Sequence, residues 1–327
     1  MSLDARILSA LRAAKNGSVA GTDLANSLGV SRAAVWARIE EMRQLGYEIE
    51  ASPHHGYKLI SVPDVLHADD LISRLPADRI IGRDIRVFQE TTSTNDVVEK
   101  FARDGVNEGV AVFAESQTKG RGRMGRKWIS PPGKGLWFSL LLRPKLRPTA
   151  VTQITVIAAT ALVRAIQKET GLQPDIKWPN DIWIKGRKVA GVLTEMSAEM
   201  DHVKHVTLGI GLDVNLEEQD LPSELHAIAT SLRIESGRKL DRPQIAARLL
   251  KELEHDYQRI CHGKFEAVAD EWEQRCITVG KQVSITLGAT ILKGRAEALD
   301  ADGALLLRTQ YGHLERIIGG DVTLEKN

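Results

Sequence analysis

Between Glu115 and Trp137 the segment ESQTKGRGRMGRKWISPPGKGLW sets Lys119, Arg121, Arg123, Arg126 and Lys127 among Gly120, Gly122 and Gly125, with Trp128 directly after. Closely spaced glycines disfavour a stable helix and let a ligand approach the backbone. Arginines in such a loop can hold phosphate through paired charge-assisted hydrogen bonds. Trp128 adds a flat apolar face for a ring system. The chemistry expected is a clamp for an anionic ligand with planar parts. Two other phosphate motifs fail on context. Gly120 to Gly125 matches G-x-G-x-x-G, but Pro131, Pro132 and an apolar strand follow where a helix is needed, with no acidic residue about 20 positions on. A P-loop fails because Arg126-Lys127-Trp128 follows Gly125. The plainer alternatives are a solvated basic loop or an arginine-glycine segment touching nucleic acid.

Other candidates lie outside the loop. Ser93 and Asp96 have capping-box spacing, which either merely starts a helix or leaves hydroxyls beside free backbone N–H groups for a ligand carboxylate. In Lys177-Trp178-Pro179-Asn180-Asp181 a proline interrupts two strand-like runs and leaves Asn180 and Asp181 at an irregular point. Lys188 starts an apolar strand, where it is either a solvated turn lysine or a point charge for phosphate. Gly209 and Gly211 inside a strand imply something close to the backbone.

The elements that carry these residues divide the chain. Residues 1–63 read as a helix-turn-helix domain. Ile7, Leu8 and Leu11 form one helical face, Thr22 caps a short helix, and Gly29 makes the turn. Ser31 caps a third helix with Val35, Ile39 and Met42 inward. Arg32, Ala33, Trp36 and Arg43 then face outward, and two short strands around Ser52 to Gly56 make a wing. Ser31, Arg32, Ala33 and Trp36 are the DNA-contact candidates. Seven Lys/Arg against six Asp/Glu in this stretch give a weak electrostatic footprint, so specific binding needs a dimer. Residues 64–78 read as a linker with a small helix. An α/β pattern fills 79–272, including one long helix from Thr149 to Thr170, and short strands with a turn at Asp302-Gly303 fill 273–327.

Composition sets bounds. The 327 residues, 43% hydrophobic and 27% charged, suit an ordinary soluble protein of two or three domains. A net charge of +1 gives no global attraction to DNA or membranes. Cys261 and Cys276 are too few for a disulfide framework, which fits a cytoplasmic protein. No membrane association is expected, because the uncharged run from Pro148 to Val163 is short for a span. No metal-ligand spacing is evident; His202-x-x-His205 lies in a polar turn.

Taken together, the stretches SRAAVWARI, ETTSTND, ESQTKGRGRMGRKW, KWPNDIWI, GRKVAGVLTEM and GIGLDVN resemble the bifunctional biotin protein ligases that are also biotin operon repressors. The resemblance covers essentially the whole chain. It implies an α+β protein: a winged helix-turn-helix, a central mixed-sheet α/β domain of the class II synthetase-like biotin/lipoate ligase type, and a C-terminal SH3-like β-barrel. It further implies that biotin and ATP, accompanied by Mg²⁺, form biotinyl-5′-AMP. Biotin then passes to a lysine of the biotin carboxyl carrier protein of acetyl-CoA carboxylase. The adenylate would also be corepressor for a homodimer on operator DNA. By the same resemblance Ser93, Thr94 and Gln117 take the biotin ureido head. Gly120, Arg121 and Arg123 hold carboxylate and α-phosphate, bridged by Lys188. Gly191, Gly209 and Gly211 line the pocket, Trp128 shields the adenylate, Asn180 meets adenine, and Asp181 prepares the acceptor lysine. Met124 departs from an arginine common in the family, and Asp213 from its usual asparagine. The competing readings are a lipoate-type ligase and a non-catalytic biotin-sensing repressor.

Overall fold

Ser2 and Ser31 each open a helix by accepting a hydrogen bond from the backbone N–H three residues on, at 3.1 Å in both cases. Such caps satisfy amides that have no partner inside the helix. The computed structural model describes residues 1–14, 17–53 and 55–324. They form two compact units, Met1–Asp78 with Asp241–Ala247, and Arg79–Leu240 with Arg248–Asn327.

The first unit contains α1 (Leu3–Ala13), α2 (Gly21–Leu28), α3 (Arg32–Gln44), an antiparallel hairpin of β1 (Glu48–Ser52) and β2 (Gly56–Ser61), and α4 (Ala68–Ser73). Its core joins Ile7, Leu8 and Leu11 of α1 to Leu24, Val35, Ile39, Met42 and Ile49. Gly29 turns α2 into α3 at φ 70°. Two local expectations are corrected. Thr22 does not cap α2, which starts at Gly21 behind Ala20. Val19 is already tied to Tyr57 by two backbone hydrogen bonds, and Gly21 lies under the Tyr57 ring, so the wing fixes the entry. Arg43 does not face outward; its guanidinium folds onto the Ile49 carbonyl and Glu40. Arg32, Ala33 and Trp36 are exposed, Trp36 at 57%. His54 of the wing loop lies outside the described residues. α4 packs on α1, where Arg12 pairs with the buried Asp70, and the buried Arg242 pairs with Asp64.

In the second unit β3 (Asp84–Thr91), β4 (Val110–Gln117), β5 (Gly135–Leu142), β6 (Asp175–Lys177), β7 (Asp181–Ile184), β8 (Arg187–Glu199) and β9 (His202–Asp213) make one sheet, ordered β3-β4-β5-β9-β8-β7-β6. Only β3 and β4 are parallel. All eight residues of β5 are buried, which explains an apolar run interrupted only by Ser139. Each large apolar side chain so buried contributes about 1.5–3 kcal/mol. α5 (Thr94–Arg103) packs on β4, β5 and β9.

α6 (Thr152–Thr170) follows a single 3₁₀ turn at Pro148–Ala150 rather than running unbroken from Thr149. By length and composition Pro148–Thr170 is apolar enough to cross a membrane, yet most of it is buried against the sheet and a neighbouring helix. α7 (Leu232–Ser236), α8 (Arg242–Cys261) and α9 (Glu266–Arg275) follow. Arg164 ties α6 to Glu252, Asp256 and Glu271. The chain ends in an antiparallel sheet of β10 (Gln282–Leu287), β11 (Thr290–Leu299), β12 (Leu305–Thr309), β13 (Leu314–Ile317) and β14 (Asp321–Leu324), ordered β13-β12-β11-β10-β14. Strand β14 and the first half of β11 go beyond what the sequence pattern revealed. The architecture is α+β, as expected.

Candidate functional site

A cavity of about 750 Å³ opens over the middle of the large sheet. It gathers Ser93, Thr94, Gln117, Arg121, Arg123, Trp128, Asn180, Asp181, Lys188, Gly191, Gly209 and Gly211. Of the ligand-site candidates, only Gly120 is not in its wall. A side chain there would come within 2.5 Å of the Trp128 carbonyl, so this glycine permits the loop to close on itself. Ser31, Arg32, Ala33 and Trp36 belong to the other unit.

The floor is built by alternation along the strands, where every second residue points to one face. Gly209, Gly211 and Asp213 of β9 lie beside Ser139, Trp137 and Gly135 of β5, and Gly191 of β8 lies beside Gly211. The close approach signalled by the glycines is made by the chain itself. A Cβ at Gly209 would overlap the Asn95 side-chain amide, and one at Gly211 would lie 2.6 Å from the Trp128 ring. Trp128 therefore rests against Gly191 and Gly211, with Trp137 edge-on at 6.5 Å and the Lys188 ammonium 5.1 Å from its ring centroid. Its indole N–H is buried with no hydrogen-bond partner among the described residues.

One end of the cavity is a chain of hydrogen bonds. Ser130 Oγ accepts from Gln117 Nε2 at 2.9 Å, and Gln117 Oε1 accepts from the Thr94 backbone N–H at 2.9 Å and its hydroxyl at 3.3 Å. Thr94 and Ser139 share a bond of 2.7 Å, and the Ser139 hydroxyl donates to Asn95 Oδ1 at 2.5 Å. Asn95 Nδ2 then donates to Glu195 at 2.6 Å, and Glu195 pairs with Arg121 at 3.0 Å. The expected capping box is absent. Ser93 makes no side-chain cap bond, and Asp96 instead accepts from Arg121 at 2.7 Å. A charged partner outcompetes a neutral backbone donor, and Gln117 takes the Thr94 amide that a cap would leave free.

The cationic loop is a tight hairpin. Gly122 donates to the Arg126 carbonyl at 2.6 Å and Trp128 to the Gly120 carbonyl at 2.9 Å. Met124 and Gly125 turn it at φ 56° and 72°, and Met124 is 69% exposed and outside the cavity wall. Burial alone would lower the Arg121 pKa, but Asp96 and Glu195 more than offset it and the value rises. Burial lowers that of Arg123, against the charges of Asp321 and Asp181. Arg123 donates to Asn180 Oδ1 at 3.2 Å and the Gly320 carbonyl at 3.3 Å, and Arg126 pairs with Asp321. Asn180 also donates to the Val192 carbonyl at 2.6 Å. Lys188 pairs with Asp181 at 2.6 Å.

Several lining residues were not among the expected site residues: Lys177 and Asn95, which lie inside the matching stretches, the residues Gly320 to Val322, and the apolar set Leu216, Leu221, Leu225 and Ile228. Asp213 also lines the cavity, and burial pushes its pKa well up despite the charge of Lys188. A site of this kind presents cations at one wall, an aromatic roof, and a closed polar pocket at the far end. It suits an anion joined to planar groups.

Comparison with known proteins agrees with this geometry. Residues 87–213 match the model of the biotin/lipoate A/B protein ligase family, residues 5–58 a helix-turn-helix domain, and residues 278–324 the biotin protein ligase C-terminal domain. The chain is similar to the bifunctional ligase/repressor BirA of Bacillus spizizenii, 40% identical over 94% of both chains. It is 29% identical to that of Escherichia coli, over 93% of this chain and 92% of the other. The structure of the Aquifex aeolicus biotin protein ligase in complex with biotin and ATP superposes with a TM-score of 0.63 at 29% identity, covering 75% of this chain and all of that one. With its cavity, its helix-turn-helix unit and a relative of this identity along nearly its whole length, the chain belongs to the family of bifunctional biotin ligase/repressors.

Proposed function

We propose that the chain adenylates biotin with ATP and transfers the biotinyl group to a lysine of the biotin carboxyl carrier protein of acetyl-CoA carboxylase. Bound to the biotin operator, it represses transcription with biotinyl-5′-AMP as corepressor. The observation that carries the ligase reading is the convergence of Arg121, Arg123, Lys188 and Asp181 on one cavity whose far end is the Ser93–Thr94–Gln117 pocket. Ser93, Thr94 and Gln117 take the ureido head. Gly120 lets the loop close, and Arg121, Arg123 and Lys188 face carboxylate and α-phosphate. Gly191 and Gly211 leave room for the ring of Trp128, which covers the adenylate, Gly209 leaves room for Asn95, and Asn180 meets the adenine.

Attack of a carboxylate on a phosphate brings two anions together, so fixed cations aimed at the developing charge lower the barrier. Asp181, held against Lys188 at 2.6 Å, orients or deprotonates the incoming lysine. Mg²⁺ enters with ATP as part of that substrate. Among the described residues no group of three or more His, Cys, Asp or Glu is placed to hold a metal ion; the phosphates and water would supply most of its ligands.

Ser31, Arg32, Ala33 and Trp36 make the DNA contacts, and ligand-promoted homodimerisation sets two such helices on the operator. We keep 1–63, 64–78, 79–272 and 273–327 as the functional division, and place the protein in the cytoplasm.

The test is biotin-dependent exchange of labelled pyrophosphate into ATP, with lipoate as the control acid, followed by transfer to a carrier domain. Exchange with lipoate but not biotin would overturn the reading, and biotin binding without exchange would favour a sensor that does no chemistry. Arg123→Gly should release the adenylate faster; unchanged retention would remove Arg123 from the clamp.

A further inference from the structure

Six basic residues line the cavity, and they are not equivalent. Arg121 is held by Asp96 and Glu195, Arg126 by Asp321, Lys188 by Asp181, and Arg123 by the Asn180 amide and a carbonyl. Lys127 is exposed on the loop. Lys177 differs from all of these. It is the last residue of β6, it is half-buried, and no salt bridge engages it among the described residues. Its ammonium stands 4.3 Å from the centroid of the Trp183 ring on the paired strand β7. Burial lowers its pKa, with Asp181 and Asp321 acting against burial and Lys188 with it.

A partly desolvated cation on a strand end, facing a cavity and lacking a carboxylate, is positioned for an anion from outside. Its stacking on an aromatic ring fixes the direction without neutralising the charge. Such preorganised charge is most effective where negative charge develops during reaction.

We propose that Lys177 is a catalytic residue of the adenylation step, holding the β- and γ-phosphates of ATP and stabilising the pyrophosphate as it leaves. The assignment rests on the ligase reading above. In that step a carboxylate oxygen of biotin bonds to the α-phosphorus. The bond from that phosphorus to the α,β-bridging oxygen breaks, and its electron pair stays on the oxygen, now terminal in pyrophosphate. No proton moves, and the ammonium of Lys177 balances the charge gained. Lys188, already shared with Asp181, remains at the carboxylate and α-phosphate.

The two half-reactions separate this role from a structural one, because pyrophosphate takes part only in the first. Full-length Lys177→Met keeps an apolar side chain of similar length against Trp183, and Lys177→Arg keeps the charge. Lys177→Met should slow biotin-dependent pyrophosphate exchange about 100-fold and raise the KM for pyrophosphate. Transfer from preformed biotinyl-5′-AMP to the carrier domain should stay within about twofold, and Lys177→Arg should recover most of the exchange. A normal KM for pyrophosphate in Lys177→Met, or an equal fall in both half-reactions, overturns the assignment while wild-type exchange leaves the ligase reading intact. Wild-type protein that exchanges no pyrophosphate with biotin overturns both.

Discussion

The floor and the rim of the cavity are held by different forces. On the floor, Gly209, Gly211 and Gly191 are fixed by steric fit: Asn95 and Trp128 fill the volume that a side chain would need. At the rim, Arg126 is tied to Asp321 by an ion pair whose side chains are 64% and 37% exposed. Exposed pairs of that kind contribute about 0–1 kcal/mol, so an incoming phosphate can replace one at little cost. Close packing is not exchangeable in the same way, because overlap forces backbone or rotamer shifts costing about 1–3 kcal/mol. The ligand therefore meets a preformed base and a replaceable edge.

The sharpest way to break this contrast is Gly209→Ala. Displacing Asn95 disturbs the hydrogen-bond chain from Thr94 to Glu195, and misplacement on the order of 1 Å costs about 100-fold, read as biotin-dependent pyrophosphate exchange. Exchange left unchanged by Gly209→Ala would show that the floor is not limited by overlap. Gly211→Ala should act more mildly, shifting the Trp128 ring and weakening adenylate retention about tenfold, or roughly 1.4 kcal/mol, measured as the adenylate dissociation rate.

Asp213 tests the floor through pH. Its pKa is raised by burial, so the folded state binds a proton that the unfolded state has lost above about pH 3.9. Stability is therefore undiminished below that pH and falls as pH rises toward the folded pKa. Asp213→Asn should raise Tm at pH 8, by about 2–4 °C for each kcal/mol relieved, and change it little at pH 4. Equal effects at both would contradict the upward shift of the Asp213 pKa. Smallest of all, Arg126→Ala should alter exchange by less than about fivefold; a 100-fold loss would mean that the rim is no more replaceable than the floor.

What the sequence disclosed follows the range of the interactions. Val35, Ile39 and Met42 recur at helical spacing and are all buried, because a helix face is set by neighbours one turn away. The need for small residues at Gly209 and Gly211 was legible, but not what fills the space, since Asn95 and Trp128 are more than 80 positions distant. The pairing of Arg121 with Asp96 and Glu195 spans 25 and 74 positions. It diverts Asp96 from the cap that its local spacing suggested. Lys177 sat inside a recognised motif, yet only Trp183, its diagonal neighbour on the paired strand, gives its ammonium a direction. Strand β14 is four residues long and has no pattern of its own; it exists because β10 pairs with it.

That last strand and the turn before it carry Gly320, Asp321 and Val322 into the cavity wall, more than two hundred positions after Ser93 opens it. The wall is thus complete only once residues 320–322 have been made. A product stopped or clipped ahead of residue 320 lacks both the carbonyl that Arg123 meets and the carboxylate that Arg126 meets.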